Sequence, residues 1–272
     1  MWKEMEDAMQ LPGGHFQLWW LGQSGFLIQW KQQRLLFDPY LSDSLTRKYE
    51  GTEKPHVRIS ELVMAPNLIT GLQVISSSHN HTDHLDAATL QPLLHNNPDA
   101  IMVVPRANVS FAAERLSVHE NHLTPINEED PVIAGNFIFS GLPAAHNEIE
   151  RDANGDCKCM GYVVQFGTWT VYHSGDTLYY EGMEELLRPF KIDLALLPIN
   201  GNDPARGVAG NLNAQEAVAL GRSIGARHVI PCHYHLFQFN SVEPDEFGKL
   251  ASEAGLPHTI LALGGRWDST CL

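Results

Sequence analysis

No stretch of about 18 consecutive apolar residues occurs in this chain, so no membrane-spanning helix is expected. The opening residues, Met1-Trp2-Lys3-Glu4-Met5-Glu6-Asp7, lack the basic-then-apolar layout of a secretory signal. Cysteine is scarce. Cys157, Cys159, Cys232 and Cys271 are too few and too bunched for a disulfide framework, which makes a reducing cytoplasm the expected compartment. Positive charge is scarce as well: 18 Lys and Arg stand against 32 Asp and Glu, a net charge of −14. That balance argues against nucleic-acid binding, which needs a basic surface. Short-period repeats and low-complexity tracts are also missing. A small-molecule substrate is the partner these absences leave, and they leave a homo-oligomer open.

What is present is a chain of 272 residues, 43% of them apolar, enough for a substantial core and read as one domain over 1–272. Short apolar runs at 15–21, 25–30 and 34–37, broken by Gly22-Gln23-Ser24 and Lys31-Gln32-Gln33, predict a strand meander. Residues 40–70 are polar and contain proline, and a connection of that length predicts a lid or substrate-facing loop. From 72 onward strands alternate with helices. Strands are expected at 72–78, 100–104, 161–166, 169–173, 192–198, 227–231 and 258–263, and a strand or hairpin at 132–140. Helices are expected near 87–95, 106–116, 181–188, 214–224 and 244–254. Asn213 and Glu216 have the spacing of a capping box for the helix at 214. Strands followed by strand–helix alternation in both halves predict two packed sheets with helices outside.

Fourteen histidines are many for this length, and three of them crowd into His79-Asn80-His81-Thr82-Asp83-His84. Imidazole and carboxylate are the donors that borderline divalent cations such as Zn²⁺ prefer. Ligands at i, i+2, i+4 and i+5 cannot share a helical face, where neighbours lie three or four apart. They can converge from an irregular turn after a strand, and 72–78 supplies that strand. Three further candidates each follow an expected strand: His146, Asp176 and His233. His173 and His228 sit inside strands and read as packing or hydrogen-bonded residues. Cys157-Lys158-Cys159 has no second pair nearby to complete a structural zinc site.

The H-x-H-x-D-H run, His146, Asp176 and His233 occur in the order and approximate spacing of the metallo-β-lactamase superfamily, which the chain resembles over nearly its whole length. The resemblance implies an α+β fold, an αβ/βα four-layer sandwich with two metals at one edge. It implies that His79, His81 and His146 hold the first metal, that Asp83, His84 and His233 hold the second, and that Asp176 bridges them. Asp38 in Phe37-Asp38-Pro39 matches another acidic position common in the superfamily, where it would orient a ligand or the loop beneath it. Asp86 would do the same or cap the following helix.

Within that superfamily, Trp19-Trp20-Leu21-Gly22, Gly25-Phe26, Tyr172-His173-Ser174-Gly175-Asp176, Asp203-Pro204-Ala205-Arg206-Gly207 and Val229-Ile230-Pro231-Cys232-His233 look like the ascorbate-6-phosphate lactonase group. The implied activity is a metal-dependent hydrolase, in which a metal-bound hydroxide attacks a small ester, lactone or phosphoester. Asp83 or Asp176 would carry the proton to the leaving oxygen. Two divalent ions are expected, zinc first, with manganese or iron as alternatives. Arg206 is either an anion contact for the substrate or a solvated loop residue, and His235 either lines the substrate pocket or is a polar loop residue. The competing activities on the same fold are a mononuclear iron thiol dioxygenase and a phosphodiesterase.

Overall fold

Three antiparallel strands open the structure: β1 (Phe16–Gly22), β2 (Gly25–Trp30) and β3 (Gln33–Phe37), the meander that the apolar runs predict. The computed structural model describes residues 14–203 and 210–272. After β3 the chain makes a short helix, α1 (Ser44–Lys48), and a largely irregular excursion before β4 (Val74–Ser76). Two helices, α2 (Ala87–Asn96) and α3 (Val109–Leu116), alternate with β5 (Ile101–Pro105) and β6 (Leu123–Ile126), and β3 to β6 run parallel. A second sheet starts with β7 (Val132–Ala134), β8 (Phe137–Pro143), β9 (Met160–Phe166) and β10 (Trp169–His173), all antiparallel. It continues past α4 (Met183–Leu187) into β11 (Leu194–Pro198), α5 (Ala214–Ser223), β12 (His228–Cys232) and α6 (Asp245–Glu253), with β10, β11 and β12 parallel. The last strand, β13 (Arg266–Asp268), returns to pair with β1. The strand orders are β13-β1-β2-β3-β4-β5-β6 and β12-β11-β10-β9-β8-β7.

Side chains alternate across each strand, and both faces of the first sheet are covered. Phe16, Leu18 and Trp20 of β1 join Phe137, Tyr162 and Leu194 between the sheets. Trp19 and Leu21 point the other way, into a second apolar cluster that also holds Leu90 and Leu93 of α2 and Ala112 and Leu116 of α3. Across the inter-sheet layer Phe16 meets Phe166 edge-on at 5.3 Å, the arrangement that ring quadrupoles favour. Ala217 and Leu220 of α5 and Phe247 of α6 cover the outer face of the second sheet. The result is an α+β sandwich of four layers, helix–sheet–sheet–helix. Helix α5 starts with both halves of the Asn213–Glu216 capping box in place.

One local expectation is corrected, and one strand appears that the sequence does not announce. Residues 258–263 are not a strand. They make one parallel bridge, His258 to Val229, and then leave the sheet through Gly264 and Gly265. Backbone bonds from those glycines to Trp20 carry the chain across to the other sheet, where β13 forms instead. The unannounced strand is β6. Its Pro125 argues against a strand in general, and β6 tolerates it because it is an edge.

Candidate metal centre

Each expected ligand stands just past the carboxyl end of a strand. The His79–His84 run occupies the irregular turn between β4 and α2; His146 follows β8, Asp176 follows β10 and His233 follows β12. Strands β8, β10 and β12 point the same way, so their closing turns reach one edge of the sandwich. The turn after β4 is tied to both sheets: Ser77 donates its N–H to Val103 O, while Tyr162 donates its hydroxyl to Ser77 O at 2.7 Å and Met160 N–H donates to Ser78 O. Gly175 permits the final approach. Its φ is +60°, and a Cβ there would lie 2.8 Å from Ser78 Cβ and 2.9 Å from Met160 O.

The approach produces two triads. Donor atoms of His79, His81 and His146 lie within 4.8 Å of one another, and so do those of Asp83, His84 and His233. Asp176 sits between them: its Oδ2 is 3.3 Å from Nε2 of both His84 and His233, and with His79 and His84 it forms a third such group. Nε2 of His79 is buried without a hydrogen-bond partner, and that of His84 has only the Asp176 and Asp83 carboxylates near it. Leaving such atoms unpaired is costly, and ligation of a cation would satisfy them. Burial, reinforced by the His84 charge, holds His79 well below the usual histidine range and keeps it a neutral donor. Burial alone would lower His84 too, but Asp176, Asp83 and Asp38 push it well above that range. Burial would raise the Asp176 carboxyl, yet His233 and His84 hold it well below the ordinary carboxylate range. Imidazoles among carboxylates are the donor set that a divalent cation takes, with the cation replacing the proton that its carboxylate neighbours otherwise hold on His84, so these residues fit the metals implied by the sequence.

A family model described as the beta-lactamase superfamily domain matches residues 33–234. The chain belongs to that superfamily. It is 26% identical over 251 residues to the UPF0173 metal-dependent hydrolase of Metallosphaera sedula, covering 91% of this chain and 97% of that one. An isothiocyanate hydrolase from Delia radicum gut bacteria superposes with a TM-score of 0.73 at 17% identity, over 92% of this chain and 98% of that one. The metallo-beta-lactamase fold protein YhfI of Bacillus subtilis gives a TM-score of 0.66 at 21% identity, over 94% and 100%. At such identities the two structures speak for the superfamily's fold, and the sandwich described above is that fold.

Around the superfamily's metal edge, Asp38 lies directly behind His84, its Oδ2 2.6 Å from Nδ1, and it also accepts from the backbone N–H and hydroxyl of Ser78. Asp86 does not reach a ligand. It is the N-cap of α2, accepting from Ala88 N–H, Ser42 Oγ and Thr89 Oγ1, so the capping alternative is the one the structure adopts. His235 likewise takes the second of its two expected settings, a polar loop residue. It is absent from the residues lining the cavity over the triads, and its Nε2 lies 2.9 Å from Glu243 Oε2, because φ of +54° turns it toward that exposed carboxylate. Arg206 lies outside the described residues. His173 and His228 are packing residues as expected: His173 stacks on Phe37 and bonds Ser24 O, and His228 bonds Thr259. Cys157 bonds Glu128, and burial pushes its thiol up to about 12, so it stays protonated.

Two contributors were not singled out by the sequence. Arg115, read only as part of a helix, donates to the carbonyls of Asn80 and Leu85 and so brackets the ligand turn. Gln23, read only as a turn residue, is fully buried and donates its amide to Asp83 Oδ2 at 2.8 Å. Its one sequence signal is its place between Gly22 and Gly25. Above the triads lies a cavity of about 400 Å³. One wall comes from the 40–70 excursion and the chain after β12: Tyr49 stacks on His56 at 4.1 Å, and Phe237 and Phe239 meet His56 edge-on. The 40–70 excursion thus lines this cavity.

Proposed function

We propose that this protein is a metal-dependent hydrolase of a small ester, lactone or phosphoester bearing an anionic group, of the lactonase-like kind. The observation that carries the reading is the meeting of two complete triads around Asp176 at the floor of the cavity. When bound, a pair of divalent cations supplies Lewis-acid polarisation of the substrate oxygen and a water acidic enough to ionise near neutral pH. His79, His81 and His146 would hold one cation, and Asp83, His84 and His233 the other, with Asp176 shared. Asp83 and Asp176 are the carboxylates able to take a proton from the attacking water and return it to the leaving oxygen. A single-iron thiol dioxygenase would leave the second triad without a role, whereas the hydrolase uses both.

Substrate size and charge are read from the walls. A cavity of about 400 Å³ suits a small molecule, and the net charge of −14 disfavours a nucleic acid. Lys48, Lys54 and Arg115 line this cavity, and among the described residues neither lysine makes an ion pair. Three cations at one opening of an acidic protein favour an anionic substrate. The aromatic wall favours a flat apolar portion beside it.

The first test is metal content and chelation. Purified protein is expected to carry two divalent ions, to lose hydrolysis of lactones or phosphoesters on chelation, and to recover it when the ion is returned. Chelator-insensitive turnover would refute the reading, and one iron per chain would support the dioxygenase. A second test concerns the substrate charge. The double replacement Lys48→Ala/Lys54→Ala is expected to raise KM for anionic substrates roughly tenfold with kcat little changed, from two exposed contacts of up to about 1 kcal/mol each. An equal rise for neutral substrates would remove the anion claim.

A further inference from the structure

We propose that Gln23 is a further donor to the second cation, through its side-chain oxygen, and that it makes the two metal sites chemically unequal. The proposal rests on the reading above, that a cation lies among Asp83, His84, His233 and Asp176. Gln23 follows a register shift between Trp20 and Gly22 in the β1–β2 hairpin and takes a φ of +51°. A left-handed glutamine costs about 1 kcal/mol or more, and it persists only where the surroundings hold it. Here its carbonyl accepts from Trp20 Nε1 at 2.9 Å and from His233 N–H at 3.0 Å. The hairpin is thereby locked to the turn after β12, with the amide aimed into the site.

The spacing of that amide is the telling feature. Its Nε2 lies 2.8 Å from Asp83 Oδ2 and 3.1 Å from His233 Nε2. Two donors on one cation, each at about 2.0–2.2 Å and near a right angle, stand roughly 3 Å apart. The end of Gln23 therefore has the spacing of a co-ligand with both residues, much as Asp176 Oδ2 stands 3.3 Å from His84 and His233. Its Oε1, meanwhile, is buried without a partner. The lone pair on His233 Nε2 cannot serve both a Gln23 N–H and a cation. A half-turn of the carboxamide, whose two ends are nearly isosteric, resolves the conflict by turning the oxygen toward Asp83 and His233. An oxygen facing a carboxylate is repulsive unless a cation lies between them.

With Gln23 included, the second set offers oxygens from Asp83, Asp176 and Gln23 with nitrogens from His84 and His233. The first set offers three nitrogens and the shared carboxylate. Nitrogen-rich, low-coordinate sites suit Zn²⁺, whereas oxygen-rich sites of higher coordination suit Mn²⁺ or Fe²⁺. The sites should therefore differ in both affinity and metal preference.

The test is a titration of metal-free protein with Zn²⁺ by calorimetry and with Mn²⁺ by electron paramagnetic resonance, with no turnover needed. Wild type is expected to take two cations, with Mn²⁺ favouring the second site. Gln23→Ala should keep the first affinity unchanged, which also reports an intact fold, and weaken the second 10- to 100-fold. Gln23→Glu, nearly the same shape with oxygen at both ends, should restore or tighten it. A second site as tight in Gln23→Ala as in wild type overturns the proposal, as does a Gln23→Glu protein that loses it. A wild type that binds no cation, or one, overturns the two-cation reading beneath it as well.

Discussion

Replacing Asp176 with asparagine is expected to cut kcat about a thousandfold, equivalent to roughly 4 kcal/mol of barrier at 1.36 kcal/mol per tenfold. Asparagine keeps the size and one oxygen but loses the charge. Asp176 Oδ2 lies 3.3 Å from both His84 and His233, and Oδ1 accepts from Ser24 Oγ at 3.4 Å, so this carboxylate stands between ligands on two separate turns. Without its charge two cations at the site would repel one another unscreened, and one acceptor for the water's proton would be gone. The check is kcat against metal content for the same preparation. Loss of activity together with one of two cations fits the shared role. Activity within tenfold of wild type, both cations retained, would leave Asp176 an ordinary buried carboxylate.

Asp38→Ala should have the largest effect on stability. Asp38 is completely buried and receives three donors: His84 Nδ1 at 2.6 Å, Ser78 N–H at 2.8 Å and the Ser78 hydroxyl. Its removal leaves a buried imidazole and two buried donors without their acceptor, a class of change that costs roughly 3–5 kcal/mol. His84 would also lose the partner that fixes its ring, and cation affinity should fall about 10- to 100-fold, as for other residues that hold a ligand from behind. Denaturant unfolding of the metal-free protein reads the first effect and metal titration the second. Asp38→Asn should lie between Ala and wild type, since it keeps one acceptor. If Asp38→Ala unfolds within about 1 kcal/mol of wild type and binds metal equally well, Asp38 does not position His84.

Much of this site can be read along the chain because its donors are local features. The H-x-H-x-D-H run identifies itself by composition, and its spacing already excludes a helix and requires a turn after a strand. The strands themselves were readable where β-branched runs met Gly or Asn breaks. Legibility fails where a residue's local setting is ordinary. Asp86 has the sequence context of either a cap or a ligand's partner, and only its contacts with Ala88, Thr89 and Ser42 decide between them. His235 stands two residues from His233 yet faces Glu243, because two successive left-handed turns at 233 and 235 rotate the side chains apart. Pro125 concealed an edge strand, and the apolar residues at 260 and 261 suggested a strand where the chain instead crosses between sheets.

Donor types, their order, and their places at strand ends are properties of the sequence itself, because periodicity and turn chemistry act over a few residues. Which donors meet is another matter. His79 and His233 are separated by most of the chain, and they converge because two sheets, apolar on their facing sides, bury those sides against each other and bring their carboxyl-terminal edges into line. The same packing put Gln23 beside Asp83, set Asp38 behind His84 and raised the aromatic wall from segments on either side of the fold. Burial summed over both sheets sets that arrangement, and no short window of residues contains it.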